Sequence, residues 1–245
     1  MVWSQLAGAP VALTVDACVL EDQGWRSDME DRHVLITNGE TVAGAVFDGH
    51  AGWQVADFAA NAIPRLIGTR TPGEALRAID LASGSLRGGA CAVAFRLSGQ
   101  RLEVANVGDC ELAQVSGNRV DVLTELHRVS NPEERVRVLQ KGGLINGPYV
   151  VDPRTGDGLM PTRSLGDHEF TDVGVTSEPH EYVGTFSHGW VVAACDGLWD
   201  VMTADELPRY LSVSAQHAAE VLMREALEVR GCVDNLTVIV VHRGV

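Results

Sequence analysis

Residues 89–124 read GACAVAFRLSGQRLEVANVGDCELAQVSGNRVDVLT. Apolar runs alternate here with short turn signals, Ser98-Gly99 and Gly117-Asn118, which is the pattern of strands joined as hairpins. Four strands are expected, over 89–98, 101–107, 111–116 and 119–124. Working outward, strands are expected at 11–20, 33–37 and 41–47 upstream, and at 179–185, 189–195 and 236–241 downstream. Helices are inserted between these groups. Val55, Phe58, Ala59, Ala62, Ile63 and Leu66 recur at helical spacing, giving an amphipathic helix over 51–67. Thr71-Pro72-Gly73-Glu74 combines a cap, a first-turn Pro and a back-reaching Glu, so a helix covers about 72–82. Asn131-Pro132-Glu133-Glu134 starts a short helix that Gly142-Gly143 ends, Thr203-Ala204-Asp205-Glu206 caps another, and 214–229 forms a further one. Residues 144–175, rich in Gly, Pro, Asp and Thr, read as mostly irregular.

Hairpin-linked strands with inserted helix pairs argue for antiparallel sheets rather than a doubly wound parallel one. The uninterrupted apolar strand Trp190–Cys195 needs cover on both faces. The expected fold is therefore α+β: two stacked antiparallel β-sheets, a β-sandwich, flanked by pairs of α-helices, with residues 1–245 as a single domain.

With 19 Lys plus Arg against 33 Asp plus Glu, the net charge is −14, and Lys141 is the only lysine. An acidic surface repels phosphate backbones, so no nucleic-acid partner is expected. No apolar run approaches the ~20 residues of a membrane helix, so no membrane partner is expected either. Five cysteines, odd in number and irregular in spacing, read as buried thiols of a reducing compartment. No basic residue precedes Arg26, which argues against a secretory signal. The expectation is an intracellular, cytoplasmic monomer, with the nucleus left open. Trp3 has no assigned role.

Position gives some of the acidity a second meaning. Asp48 follows the apolar run Val42–Phe47, Asp196 follows the 190–195 strand, Asp109 follows Leu102–Val107, and Asp234 precedes Leu236–Val241. In antiparallel sheets the exit of one strand and the entrance of the next share an edge, so these carboxylates should converge. Asp-Gly is also a common turn dipeptide, but four Asp at strand edges together favour convergence. Clustered carboxylates raise one another's pKa unless a cation neutralises them. Oxygen-only ligands suit Mg²⁺ or Mn²⁺.

At these same residues the chain resembles the metal-dependent protein phosphatases, the type 2C Ser/Thr family. The matching pieces are Gly24–Asp31, Val46–Gly52, Ala105–Asp109, Leu123–His127, Gly142-Gly143, Thr162–Asp167, Cys195–Val201 and Asp234–Val240, in the family's order. The resemblance implies a two-metal hydrolase of phosphoserine and phosphothreonine, with phosphoproteins as partners and two Mg²⁺ or Mn²⁺ ions as cofactors. It implies that Asp48 bridges both ions and that Asp196 and Asp234 bind the first. The Gly49 carbonyl and Glu30 resemble contacts of the second, and Asp31 a carboxylate holding metal-bound waters. Asp109 with Asp196 is similar to a weaker third-ion site. Arg26 matches the arginine that holds the substrate phosphate, and His50 the general acid.

This set suits the chemistry. Two cations can activate a water and neutralise the phosphoryl oxygens. Arg clamps two phosphate oxygens better than Lys can. A basic leaving alkoxide needs a proton. Arg163 reads as structural, pairing near Asp167. The chain departs from the family at Ala90 and Cys91, where two hydroxyl residues are usual, and at Cys110 and Leu126. Its helix-pair segment between Gly52 and Gly89 is also short. These departures motivate an alternative, a catalytically weak phosphatase-like module that binds a partner. No C-x₅-R loop supports a cysteine-based phosphatase.

Overall fold

The computed structural model describes residues 15–244; Trp3 and the first part of the strand expected at 11–20 lie outside them. The strands are β1 (Val15–Asp22), β2 (Arg32–Asn38) and β3 (Thr41–His50), followed by helices α1 (Gln54–Leu66) and α2 (Pro72–Ser83). Then come β4 (Gly89–Ser98), β5 (Arg101–Val107), β6 (Glu111–Ser116), β7 (Arg119–Val122) and α3 (Pro132–Gln140). The short strands β8 (Leu144–Asn146), β9 (Tyr149–Val151), β10 (Gly158–Leu159) and β11 (Leu165–Gly166) lead to β12 (His180–Thr185) and β13 (Gly189–Ala194). The one-turn α4 (Asp196–Trp199), α5 (Ala215–Arg224) and β14 (Leu236–Arg243) complete the set.

All the pairings between these strands are antiparallel. A six-stranded sheet runs β12-β5-β4-β3-β2, with β11 added beside β4, and a five-stranded sheet runs β1-β14-β13-β6-β7. The period of two on β4 shows how the layers form. Cys91, Val93, Phe95 and Leu97 face the large core shared with the five-stranded sheet. Ala90, Ala92 and Ala94 face a second core with α1 and α2. Alanines on that face let the helices lie close to the sheet, and Val55, Ala59, Ile63, Leu76 and Ile79 fill the contact. Across the sandwich, α5 covers β1 and β14 with Ala215, Ala218, Ala219 and Leu222.

Three expectations change. The first helix begins at Gln54 rather than 51, because Ala51 (φ 56°) and Gly52 (φ 123°) take left-handed turns. Both helices expected in the short 52–89 segment are present. On the opposite face the second helix is a single 3₁₀ segment, Ala204–Arg209, interrupted by Pro208. Finally, 144–159 is not irregular: β8, β9 and β10 form a small three-stranded sheet. Strands of two or three residues are too short to show alternation in sequence.

The segment after β7 is held by buried polar groups. Glu134 is 1% exposed and accepts from Arg137, Thr162 and Arg163. Despite burial, these partners pull its pKa down to about 2. Arg163 is thus structural, but its partner is Glu134 at 2.8 Å, not Asp167.

Candidate active site

β3 and β5 flank β4 and run in the same direction, so their ends lie at one edge of the six-stranded sheet. Asp48 and Asp109 come from those ends. β13 and β14 are antiparallel neighbours in the other sheet, so the exit of one, Asp196, adjoins the entrance of the next, Asp234. The two edges meet at one end of the sandwich. Ligand oxygens of Asp48, Asp109 and Asp196 lie within 4.8 Å of one another. They open into a cleft of about 330 Å³ that Arg26, Glu30, Gly49, His50 and Asp234 also line.

Close backbone approach makes this possible. A Cβ on Gly197 would lie 2.2 Å from the Asn235 carbonyl, so glycine lets the start of α4 press against the entrance of β14. Gly24 (φ +60°) does the same for the Arg26 loop, where a Cβ would meet the Asp234 carbonyl at 2.1 Å. The Asn235 side chain fastens that loop. It donates to the carbonyls of Gln23 and Asp28 and accepts from the Glu30 N–H. Arg26 is carried over the cleft, where its Nη2 donates to Asp234 at 2.5 Å.

Three carboxyl groups, Asp48, Asp196 and Asp31, are strongly perturbed. Burial, then the charges of Asp31, Asp196 and Asp109, pushes Asp48 well above the usual carboxylate range. Burial, together with Asp109 and Asp200, raises Asp196 to about 7. Asp31 immediately precedes Arg32, which pairs with Phe47, and is raised to about 6, mainly by burial. Its Oδ2 accepts from Thr237 at 2.7 Å, whereas its buried Oδ1 has no hydrogen-bond partner among the described residues.

His50 ends β3 with its Nε2 2.6 Å from Asp167 Oδ2, which also accepts from Ser164 at 2.6 Å. Burial alone would lower the His50 pKa, but the hydrogen bond and charge of Asp167 outweigh it and the net shift is upward. His127 is neutral, its pKa lowered to about 4 by burial, and its Nδ1 accepts from the Gly108 N–H beside Asp109. Cys91, Cys110 and Cys195 are buried, which raises their thiols well above the ordinary range. They offer neither a thiolate nucleophile nor an anionic sulfur ligand.

Arg26, Glu30, Asp48, Gly49, His50, Asp109, Asp196 and Asp234 thus all line one cleft. Three others went unassigned. Asp167, as the partner of His50, stands inside the matched Thr162–Asp167 stretch. Asp200 stands four residues after Asp196, a spacing that puts both on one helical face. Arg128 gave no signal, because nothing in sequence shows which acids an arginine will reach. Its guanidinium donates to Asp109 at 2.7 Å, to Asp196 at 2.8 Å and to Asp200 at 2.8 Å.

The chain is similar to known proteins in sequence and in fold. The family model described as Protein phosphatase 2C matches residues 16–236. The chain is 28% identical to the probable protein phosphatase 2C 67 of Oryza sativa subsp. japonica, over 96% of this chain and 77% of that protein. It superposes on the serine-threonine phosphatase 2C of Toxoplasma gondii with a TM-score of 0.75 and 20% identity, covering 96% of this chain and 98% of that one. The catalytic domain of the serine threonine protein phosphatase PstP, solved with two manganese ions, matches with a TM-score of 0.69 and 20% identity. That match covers 94% of this chain and 99% of PstP's.

Proposed function

The chain belongs to the protein phosphatase 2C family, and on that premise we propose that it is a metal-dependent protein serine/threonine phosphatase acting as one catalytic domain on phosphoserine and phosphothreonine. The observation that carries this reading is the meeting of Asp48, Asp109 and Asp196 in a cleft that also holds Arg26 and His50.

The donor set fits two hard divalent ions, Mg²⁺ or Mn²⁺. Asp48 would bridge them, Asp196 and Asp234 would hold one, and Glu30 with the Gly49 carbonyl would hold the other. The free Asp31 Oδ1 supports this fit, because a buried acceptor with no protein donor suits ordered water around an ion. Bound there, the ions would supply an activated water near neutral pH and neutralise the phosphoryl oxygens.

The chain's own groups do the rest. Arg26 spends one nitrogen on Asp234 and keeps the remainder of its fork for phosphate oxygens. Asp167 orients the His50 ring through Nε2 and favours its protonated form, so Nδ1 carries a proton to give to the leaving serine or threonine oxygen.

Purified protein with Mn²⁺ is expected to hydrolyse a phosphothreonine peptide, and EDTA is expected to stop it. Absence of hydrolysis with both Mn²⁺ and Mg²⁺ would refute the reading. His50→Ala should lower kcat on that peptide by a factor on the order of 10² to 10⁴, and far less on an aryl phosphate whose leaving group needs no proton. Equal losses on both substrates would count against the acid role.

A further inference from the structure

Two members of the cleft cluster, Asp109 and Asp196, also form a trio with Asp200 at the cleft wall. Asp196 and Asp200 stand one helical turn apart, with the Asp200 N–H donating to the Asp196 carbonyl at 2.8 Å. The family resemblance would put a third, weaker ion at Asp109 and Asp196, and Asp200 stands beside them. Here the space between them is filled by a side chain. Arg128 reaches Asp109 through Nε, Asp196 through Nη2 and Asp200 through Nη1, with a second, longer contact to Asp200. All three guanidinium nitrogens are used, and the side chain is 18% exposed.

The backbone keeps Arg128 in place. Its neighbour His127 donates to the Gly108 carbonyl and accepts from the Thr162 N–H, and Arg128 itself bridges to Pro161. A lysine at this position would offer a single point charge, whereas the planar fork of arginine can satisfy three separated acceptors at once. Arg128 takes only Oδ2 of Asp196, so the other oxygen remains available toward Asp48 and the cleft.

We propose that the Arg128 guanidinium is the built-in cation of the Asp109–Asp196–Asp200 trio, standing where a third divalent ion would bind, so that this chain works with two ions and not three. The inference rests on the two-ion reading of the cleft. A third ion could enter only by displacing a guanidinium held by three carboxylates.

The test counts ions by anomalous diffraction from crystals soaked in millimolar Mn²⁺. Wild-type protein should show two peaks, both in the cleft, with Arg128 still between Asp109 and Asp200. Arg128→Ala should gain one peak within the trio. Should that variant fail to fold with its carboxylates uncompensated, Asp200→Asn serves in its place and should leave the wild-type count at two. A peak within the trio of the wild type, an unchanged count in Arg128→Ala, or loss of an ion in Asp200→Asn would each overturn the inference while leaving the two-ion reading standing. No peak at all in the wild type would overturn both.

Discussion

Replacing Asp48 with Asn is expected to lower turnover by a factor on the order of 10³ or more, while making the metal-free protein more resistant to heat. The two effects share one cause. Asp48 stands where burial and four neighbouring carboxylates, Asp31, Asp196, Asp109 and Asp234, all oppose its charge. Such a position is tolerable for an anion only with cations alongside. Asn keeps the shape of the side chain but cannot bridge two ions, and losing that role removes several kcal/mol of charge stabilisation, with about 1.4 kcal/mol to each factor of ten. Without metal the same change deletes a charge that the fold resists. At pH 8 in EDTA we expect a higher Tm, with roughly 2–4 °C to each kcal/mol gained for a chain of this size. Calorimetry in EDTA and in Mn²⁺, beside single-turnover assays, checks both halves. Wild-type turnover in the variant, or a lower Tm in EDTA, would show that Asp48 is not the centre of the site.

The second large effect concerns the metal-free wild type. Asp31 and Asp196 have folded pKa values of about 6 and about 7, above the ordinary value near 4. A carboxyl group raised on folding adds stability that is fully present below its unfolded pKa and is lost as pH rises through the folded one. In EDTA these two groups should therefore lower stability between about pH 4.5 and pH 8, partly offset below pH 6.5 by His127, whose pKa of about 4 adds stability as pH rises, so the fall is clearest above pH 6.5. This is opposite to the acid denaturation of proteins whose carboxylates are favourably paired. Glu134 follows that ordinary rule, but its pKa of about 2 places its loss below this window. Saturating Mn²⁺ should remove the fall, because the ions supply the missing counter-charge and bind only the folded chain. At a hundredfold excess over Kd, each site adds about 2.7 kcal/mol. Urea unfolding across this pH range, with and without Mn²⁺, makes the comparison. A flat profile in EDTA would mean that the cluster is not electrostatically strained.

Much of this protein is legible in its sequence because the signals are local. Ser98-Gly99 and Gly117-Asn118 mark hairpins that form as expected. Thr71 and Glu74 close the reciprocal cap their spacing suggests. Period-two alternation along residues 89–97 sorts side chains between two cores. The Asp residues at the strand ends follow from the same reading, since a strand's exit is visible wherever an apolar run stops. The small β8–β9–β10 sheet is not legible, because segments of two or three residues carry no period. Nor is the 3₁₀ form of 204–209, where Thr203 and Glu206 signal a start but Pro208 decides the geometry.

The sequence by itself determined the antiparallel layers, the helices that cover them, and which carboxylates stand at strand ends, because each follows from periodicity and turn chemistry within a few residues. Only the tertiary structure decided who meets whom. Asp48 and Asp109 come from one sheet, Asp196 and Asp234 from the other, and the cluster exists because the sandwich brings those edges together. His50 is bound by Asp167, 117 positions away. Arg163 goes to Glu134, and Arg128 reaches acids 19, 68 and 72 residues distant. Long charged side chains choose partners by distance and burial in the folded chain, and neither quantity is written in the order of the residues.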